Sequence, residues 1–304
     1  MSLLEYYMQK LNYDKRPDFL DKYLDLSVLK RLKDISYLCG MDYASKDIYN
    51  FKEYISRFDH SVTTSLLTWK CSHDQTMTLA ALFHDADTPC FSHVIDYMNK
   101  DYIRQESTEQ MKDYLLRNDA ALNNLLYEDN MKIDDIINFK QYTIVDNERP
   151  MLCADRLDGI ILSGISWSRE VNKKIIDMLI DSIEVYNYKD NLEIGFNNST
   201  AALLAIGINN NINELCHSKE DIYMMELVAK MIKLAIQKGY ITYESLYILN
   251  EKTLLAILES TNDKEIIDIL DIFYYIKKDE IPNIILPKIK VRNIEPLVNN
   301  VRIR

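Results

Sequence analysis

Apolar residues recur at three- and four-residue intervals through most of this chain, a spacing that collects them on one face of an α-helix. The pattern predicts helices over residues 24–38, 61–70, 75–83, 91–98, 108–116, 151–162 and 171–185. Met77, Ala80, Ala81 and His84 fall at i, i+3, i+4 and i+7, which puts His84 on the inward stripe of its helix. Beyond Tyr186 the texture changes. Residues 189–198 are polar, with a short alternation at Leu192-Glu193-Ile194-Gly195-Phe196. Asn197-Asn198-Ser199-Thr200 is a capping cluster before Ala201, and residues 224–238 read as an amphipathic helix stopped by Gly239. Residues 281–291 are rich in isoleucine but interrupted by Pro282 and Pro287, which confines them to a sheet edge or an extended tail.

Only 6 Gly and 6 Pro punctuate 304 residues, so the reading is all-α: a helical core over 1–185, a mostly helical extension over 186–304 packed on it as one unit, and minor short strands. That length buries a core without disulfide or metal staples. Hydrophobic residues at 47% and charged residues at 27% exclude a disordered or fibrous chain. The balance of 36 Lys+Arg against 47 Asp+Glu leaves −11, which disfavours nucleic acid and anionic membranes as partners. Five cysteines form no C-x-x-C pair and fit a reducing, cytoplasmic setting. Neither a spanning apolar run nor an export signal is evident, so no membrane partner is expected.

Candidate chemistry enters with the five histidines, two of which precede aspartate. His73-Asp74 sits at a polar junction before a helix, where Asp74 or Ser72 serves as N-cap and His73 is solvated. His84-Asp85 instead ends the apolar run Leu79-Ala80-Ala81-Leu82-Phe83. Two ionisable groups there are costly unless paired or bound to a metal, so this is the informative pair.

Three ordered segments carry a resemblance. Arg57-Phe58-Asp59-His60-Ser61, then Leu82-Phe83-His84-Asp85 leading into Pro89-Cys90-Phe91-Ser92-His93, then Ala154-Asp155-Arg156-Leu157-Asp158, resemble the HD-domain metal-dependent phosphohydrolases. Within them the match is to the branch containing the deoxynucleoside triphosphate triphosphohydrolases. It spans about residues 20–170, and more weakly the stretch from Gly239 to Leu246, which is similar to a helix junction of that branch. The resemblance implies an HD-domain helical core and one divalent metal ion on His60, His84, Asp85 and Asp155. Mixed nitrogen and oxygen ligation with open positions suits Mn, Fe, Co, Ni or Mg better than a closed structural zinc. The alternative is four satisfied polar core residues.

The resemblance also assigns Arg57 and Arg156 to substrate phosphates, Arg156 standing where some relatives have Lys. His93 and Asp96 are similar to the family's histidine and acid beside the scissile phosphate, Asp96 setting the tautomer or pKa of His93. Ion pairing for the arginines and a helix-surface pair for His93 and Asp96 are the plainer alternatives. The chain departs from the branch at Thr88 and Gln105, where further histidines are expected, and neither is an acid or base at neutral pH. Glu106 reads either as a substitute base or as a helix N-terminal charge. Gly159 and Ser163 replace the Tyr and Asp that read the sugar, and Gly159 is expected to open space.

The function implied is hydrolysis of a nucleotide or related phosphorylated small molecule by a metal-activated water. The competing expectation is a catalytically degenerate HD protein that binds metal and nucleotide for regulation or assembly. Lys288, Lys290, Arg292, Arg302 and Arg304 are the clearest local excess of basic residues, read as a solvated end or a contact in a homo-oligomer.

Overall fold

The computed structural model describes residues 1–107, 111–189 and 191–304. These form fifteen α-helices: α1 Leu3–Lys10, α2 Phe19–Leu24, α3 Ser27–Lys30, α4 Arg57–Ser72, α5 Gln75–Leu82, α6 Val94–Met98, α7 Lys112–Asn118, α8 Ala120–Glu128, α9 Ile133–Ile137, α10 Ala154–Ser163, α11 Lys173–Asp181, α12 Ser199–Cys216, α13 Lys219–Gln237, α14 Glu251–Ser260 and α15 Lys264–Tyr275. Four short strands, β1 Ile183–Tyr188, β2 Asn191–Phe196, β3 Leu297–Val298 and β4 Val301–Arg302, make one sheet in that order. The fold is therefore predominantly helical with minor strands. Among the described residues no helix is long and apolar enough to cross a membrane, and all five cysteines are free thiols.

Several elements depart from the period of the sequence. Residues 24–38 break into α2, α3 and a 3₁₀ turn at Arg31–Asp34, because each short piece buries its own leucines, Leu20, Leu24, Leu29 and Leu32. The helix expected from Phe91 starts only at Val94, since Phe91 and Ser92 hold positive φ angles of 64° and 45°. Residues 171–185 divide into α11 and the β-branched start of β1. Of the helix expected over 108–116, residues 108–110 lie outside the described residues and α7 begins at Lys112. Residues 281–296 form neither helix nor strand, in keeping with Pro282 and Pro287.

The centre is α4, buried along nearly its whole length. Ser56 and Asp59 close a capping box at its start, and His73 ends it in a left-handed conformation. Its polar face is tolerable because Thr63, Ser65 and Thr68 return their hydroxyls to carbonyls of the preceding turn. α4 packs on α5 and α10, and α13 packs on α6 and α15. One apolar cluster holds α4, α5, α10 and α12; a second gathers α6, α13, α14 and α15 with Met41 and Tyr49. Each fully buried Leu or Ile contributes roughly 1.5–3 kcal/mol.

The C-terminus is tied back by β3, parallel to β2 with Leu297 opposite Gly195. A Cβ at Gly195 would lie 2.4 Å from the Leu297 carbonyl oxygen, so only glycine admits this approach. Arg302 then pairs through both terminal nitrogens with buried Glu193 at 2.8 Å.

Candidate metal centre and arginine-lined cavity

Three elements converge on one cluster. His60 comes from the start of α4, His84 from the turn after α5, and Asp155 from the first turn of α10. α5 stops at Leu82, so His84 is not on the helical stripe that the spacing indicated; the turn after Phe83 carries it inward instead. Ligand atoms of His60, His84 and Asp155 all lie within 4.8 Å of one another. His60 Nε2 is 3.0 Å from Asp155 Oδ1 and 3.2 Å from His84 Nε2, which is 3.5 Å from Asp155 Oδ1. Asp85 stands beside this trio, its oxygens 3.7 Å from His84 Nε2 and 3.8 Å from His60 Nε2, with Oδ2 held 2.8 Å from an Arg57 nitrogen.

The inner ring nitrogens decide what the cluster can hold. His60 Nδ1 is 2.7 Å from Asp158 Oδ2, and His84 Nδ1 is 2.7 Å from the Ala81 carbonyl oxygen. Neither partner has a proton to give, so both Nδ1 atoms donate and both neutral rings present an Nε2 lone pair. Two such lone pairs face each other with a carboxylate oxygen alongside, an arrangement relieved by a cation between them. The donor set of imidazoles and carboxylates fits a divalent ion. Proton affinities agree. Burial disfavours a charged His60, yet hydrogen bonds to Asp155 and Asp158 carry its pKa up to about 10. Burial likewise opposes charge on His84, but Asp85 and Asp155 raise its pKa. Burial disfavours charge on Asp85 and Asp155 too, yet the two rings, and for Asp85 also Arg57, hold both below the ordinary carboxylate value.

A second trio, Asp146, Cys153 and Asp155, also gathers its ligand atoms within 4.8 Å. It is the poorer cation site. Arg156 already stands 3.5 Å from Asp146 Oδ1, and burial pushes the Cys153 thiol up to about 12, so a metal has to displace its proton.

A cavity of about 740 Å³ contains the first cluster, and its wall carries Arg57, Arg104, Arg149, Arg156, Lys290 and Arg292. Arg57 is 7% exposed, lies over the Tyr37 ring at 5.0 Å, and keeps Nε buried without a hydrogen-bond partner. Arg149 has its pKa lowered to about 10 by burial and then by Arg156 and Arg292, a crowding of guanidiniums that an anion would relieve. Arg156 is engaged differently: it donates to Asn147 Oδ1 and the Asn147 carbonyl at 2.7 Å, to Asp146 Oδ1 at 3.5 Å, and to the Met151 carbonyl. Most of its donors therefore hold the loop before α10.

The basic tail is not a simple solvated end. Lys290 donates through Nζ to the Arg104 carbonyl at 2.9 Å, and Arg292 donates to Gln105 Oε1 at 2.7 Å, which seats both on the cavity wall. Lys288 and Arg304 remain exposed.

His93 immediately precedes α6, with Nδ1 2.8 Å from Asp96 Oδ2 and its side chain 35% exposed on the cavity wall. Asp96 is fully buried and accepts the Ser107 amide at 3.0 Å through Oδ1. Glu106 lies on the exposed rim, its amide on Asp101. Thr88 is buried with its amide on the Asp85 carbonyl, and Gln105 is on the wall but held by Arg292. Gly159 does not open space: a Cβ there would meet the Tyr37 hydroxyl at 2.9 Å, so Tyr37 fills the gap from another segment. His73 packs edge-on against Trp69 at the end of α4, and Asp74 caps α5 through the Met77 amide, both apart from the cluster.

Sequence reasoning missed Asp158, Tyr37, Arg149 and the inward course of Lys290 and Arg292. Asp158 had a signal, since it follows Asp155 by three residues and shares its helix face. The basic tail also stood out by charge. Tyr37 and Arg149 carried none.

Fold and site together define a predominantly helical protein with a His/Asp cluster compatible with a divalent metal. No family model matches the chain. It is similar to Uncharacterized protein YdhJ of Bacillus subtilis (strain 168), 21% identical over 286 residues that cover 92% of this chain and 83% of that protein.

Proposed function

We propose that this chain is a metal-dependent phosphohydrolase of the HD superfamily, resembling its deoxynucleoside triphosphate triphosphohydrolase branch, and that it acts on a nucleotide or related phosphorylated small molecule. One observation carries the reading: a donor set short of positive charge shares a cavity with converging guanidinium groups. His60, His84, Asp85 and Asp155 hold one divalent ion, Mn, Fe, Co, Ni or Mg. When bound, the ion supplies a Lewis acid for a phosphoryl oxygen and makes a neighbouring water more acidic.

The remaining work belongs to the chain. Arg57 supplies positive charge to the phosphate from the cavity wall while Asp85 holds one of its terminal nitrogens. Arg149 and Arg292 neutralise further phosphate charge, and Arg156 supports them by ordering the loop that bears Arg149. His93 gives its Nε2 proton to the leaving oxygen, and Asp96 stabilises the imidazolium through Nδ1. Glu106 is the competing proton-transfer group.

Protein loaded with each of the five metals is screened against phosphorylated metabolites, with phosphate and pyrophosphate detection. Release of one of these is expected, and Asp155→Ala should abolish both metal binding and turnover. Failure with every metal refutes hydrolysis. A second reading, a degenerate HD protein that binds metal and nucleotide for regulation or assembly, is favoured by Thr88 and Gln105, which leave two proton-transfer positions without a titratable group. Retained nucleotide binding without turnover selects it.

A further inference from the structure

One part of the same cavity wall is mostly aromatic and apolar. Tyr49, Phe51, Trp167, Ile212 and Met225 line it, together with the carboxylate of Asp221. The Tyr49 and Phe51 rings stack at 5.3 Å with planes 26° apart, and Trp167 leans on them at 6.2 and 6.4 Å. This is a preformed aromatic surface.

Asp221 is the unexpected member. It is 8% exposed in the first turn of α13, where an acid ordinarily turns back to the N-cap amide. Here the Ser218 amide goes to the Leu215 carbonyl, and Asp221 instead accepts the Tyr49 hydroxyl at 2.6 Å through Oδ1. Oδ2 has no hydrogen-bond partner among the described residues. Burial pushes this carboxyl up to about 7, against the opposing pull of Tyr49 and Arg292. The unpartnered oxygen is open to the cavity, where the N–H donors of a ligand can complete it.

We propose that Tyr49, Phe51, Trp167 and Asp221 form a subsite for a nucleobase that presents N–H donors, with guanine the best fit. The proposal rests on the nucleotide reading above and adds the base. Guanine offers two adjacent N–H groups to a carboxylate's two oxygens, and Oδ1 has a second lone pair beyond the Tyr49 bond. Uracil and thymine offer one N–H flanked by carbonyls, which repel a carboxylate. Adenine and cytosine offer an amine flanked by a ring acceptor. A site that hydrogen-bonds a substrate rejects analogues that leave its polar group unpaired.

The test uses nucleosides, which carry no phosphate. Guanosine, inosine, adenosine, cytidine and uridine are titrated calorimetrically into the full chain, with inorganic tripolyphosphate titrated separately. Guanosine should bind roughly 10–100-fold more tightly than uridine, the range of one good bidentate contact, with inosine in between. Asp221→Asn should remove that preference. Equal affinity for guanosine and uridine in the unsubstituted chain overturns the proposal whether or not the variant folds, and so does a folded Asp221→Asn that keeps the preference. Tripolyphosphate binding with no nucleoside binding refutes the base subsite alone. Base ranking without tripolyphosphate binding supports the subsite and counts against the phosphohydrolase reading.

Discussion

Asp158 offers the sharpest test of the metal reading, because it touches the cluster without being able to ligate. It is fully buried, accepts the Tyr7 hydroxyl at 2.6 Å through Oδ1, and holds His60 Nδ1 at 2.7 Å through Oδ2. Asp158→Asn keeps the shape. Its amide oxygen still accepts from Nδ1 and its NH2 can donate to the Tyr7 oxygen, so only the Tyr7 hydroxyl proton loses its acceptor. What disappears is the charge that makes the His60 ring electron-rich. Partners of this kind change metal affinity by roughly 10–100-fold, which is about 1.4–2.7 kcal/mol. Stability of the metal-free chain should fall by about 1–3 kcal/mol, the cost of one unsatisfied buried donor. Asp158→Ala is the contrasting variant: it leaves both the Nδ1 proton and the Tyr7 hydroxyl unsatisfied, and should cost about 2–6 kcal/mol of folding stability. The assays are Mn titration by calorimetry after chelation and urea unfolding of the metal-free protein. Metal affinity unchanged in Asp158→Asn, or a loss of affinity explained wholly by a loss of folding, refutes the argument.

Two further outcomes are expected. Burial pushes Glu251 up to about 7 from an ordinary 4.5, although it accepts the Phe91 and Ser36 amides. The folded chain thus keeps a proton that the unfolded chain releases, and the resulting stability, about 3 kcal/mol, is full below pH 4.5 and lost as pH rises through 7. Glu251→Gln should flatten urea-measured stability over that window relative to the unsubstituted chain; parallel profiles would rule the assignment out. His93→Ala should lower turnover by roughly 10²–10⁴-fold with metal content unchanged, and Glu106→Gln should retain most of it. The reverse pattern transfers the proton-transfer role to Glu106.

Much of this protein was legible without its fold. Helix content follows from period and from scarce glycine and proline, both local properties, and so do the caps at Asn198 and Asp74. The choice of His84-Asp85 over His73-Asp74 also came from local texture, since only the former ends an apolar run. Tertiary packing decided the rest. It broke residues 24–38 into short helices, took the chain after Asp181 into a strand, and ended α5 two residues before His84. It brought Tyr37 into the space beside Gly159, and the tail back to place Arg292 on Gln105, across 187 residues of chain. It set Asp221 against Tyr49 across 172 residues. Periodicity reports which face of an element is buried, because that depends on neighbours three and four residues away. Which distant side chain meets that face depends on how the elements pack, and one sequence carries no local trace of it.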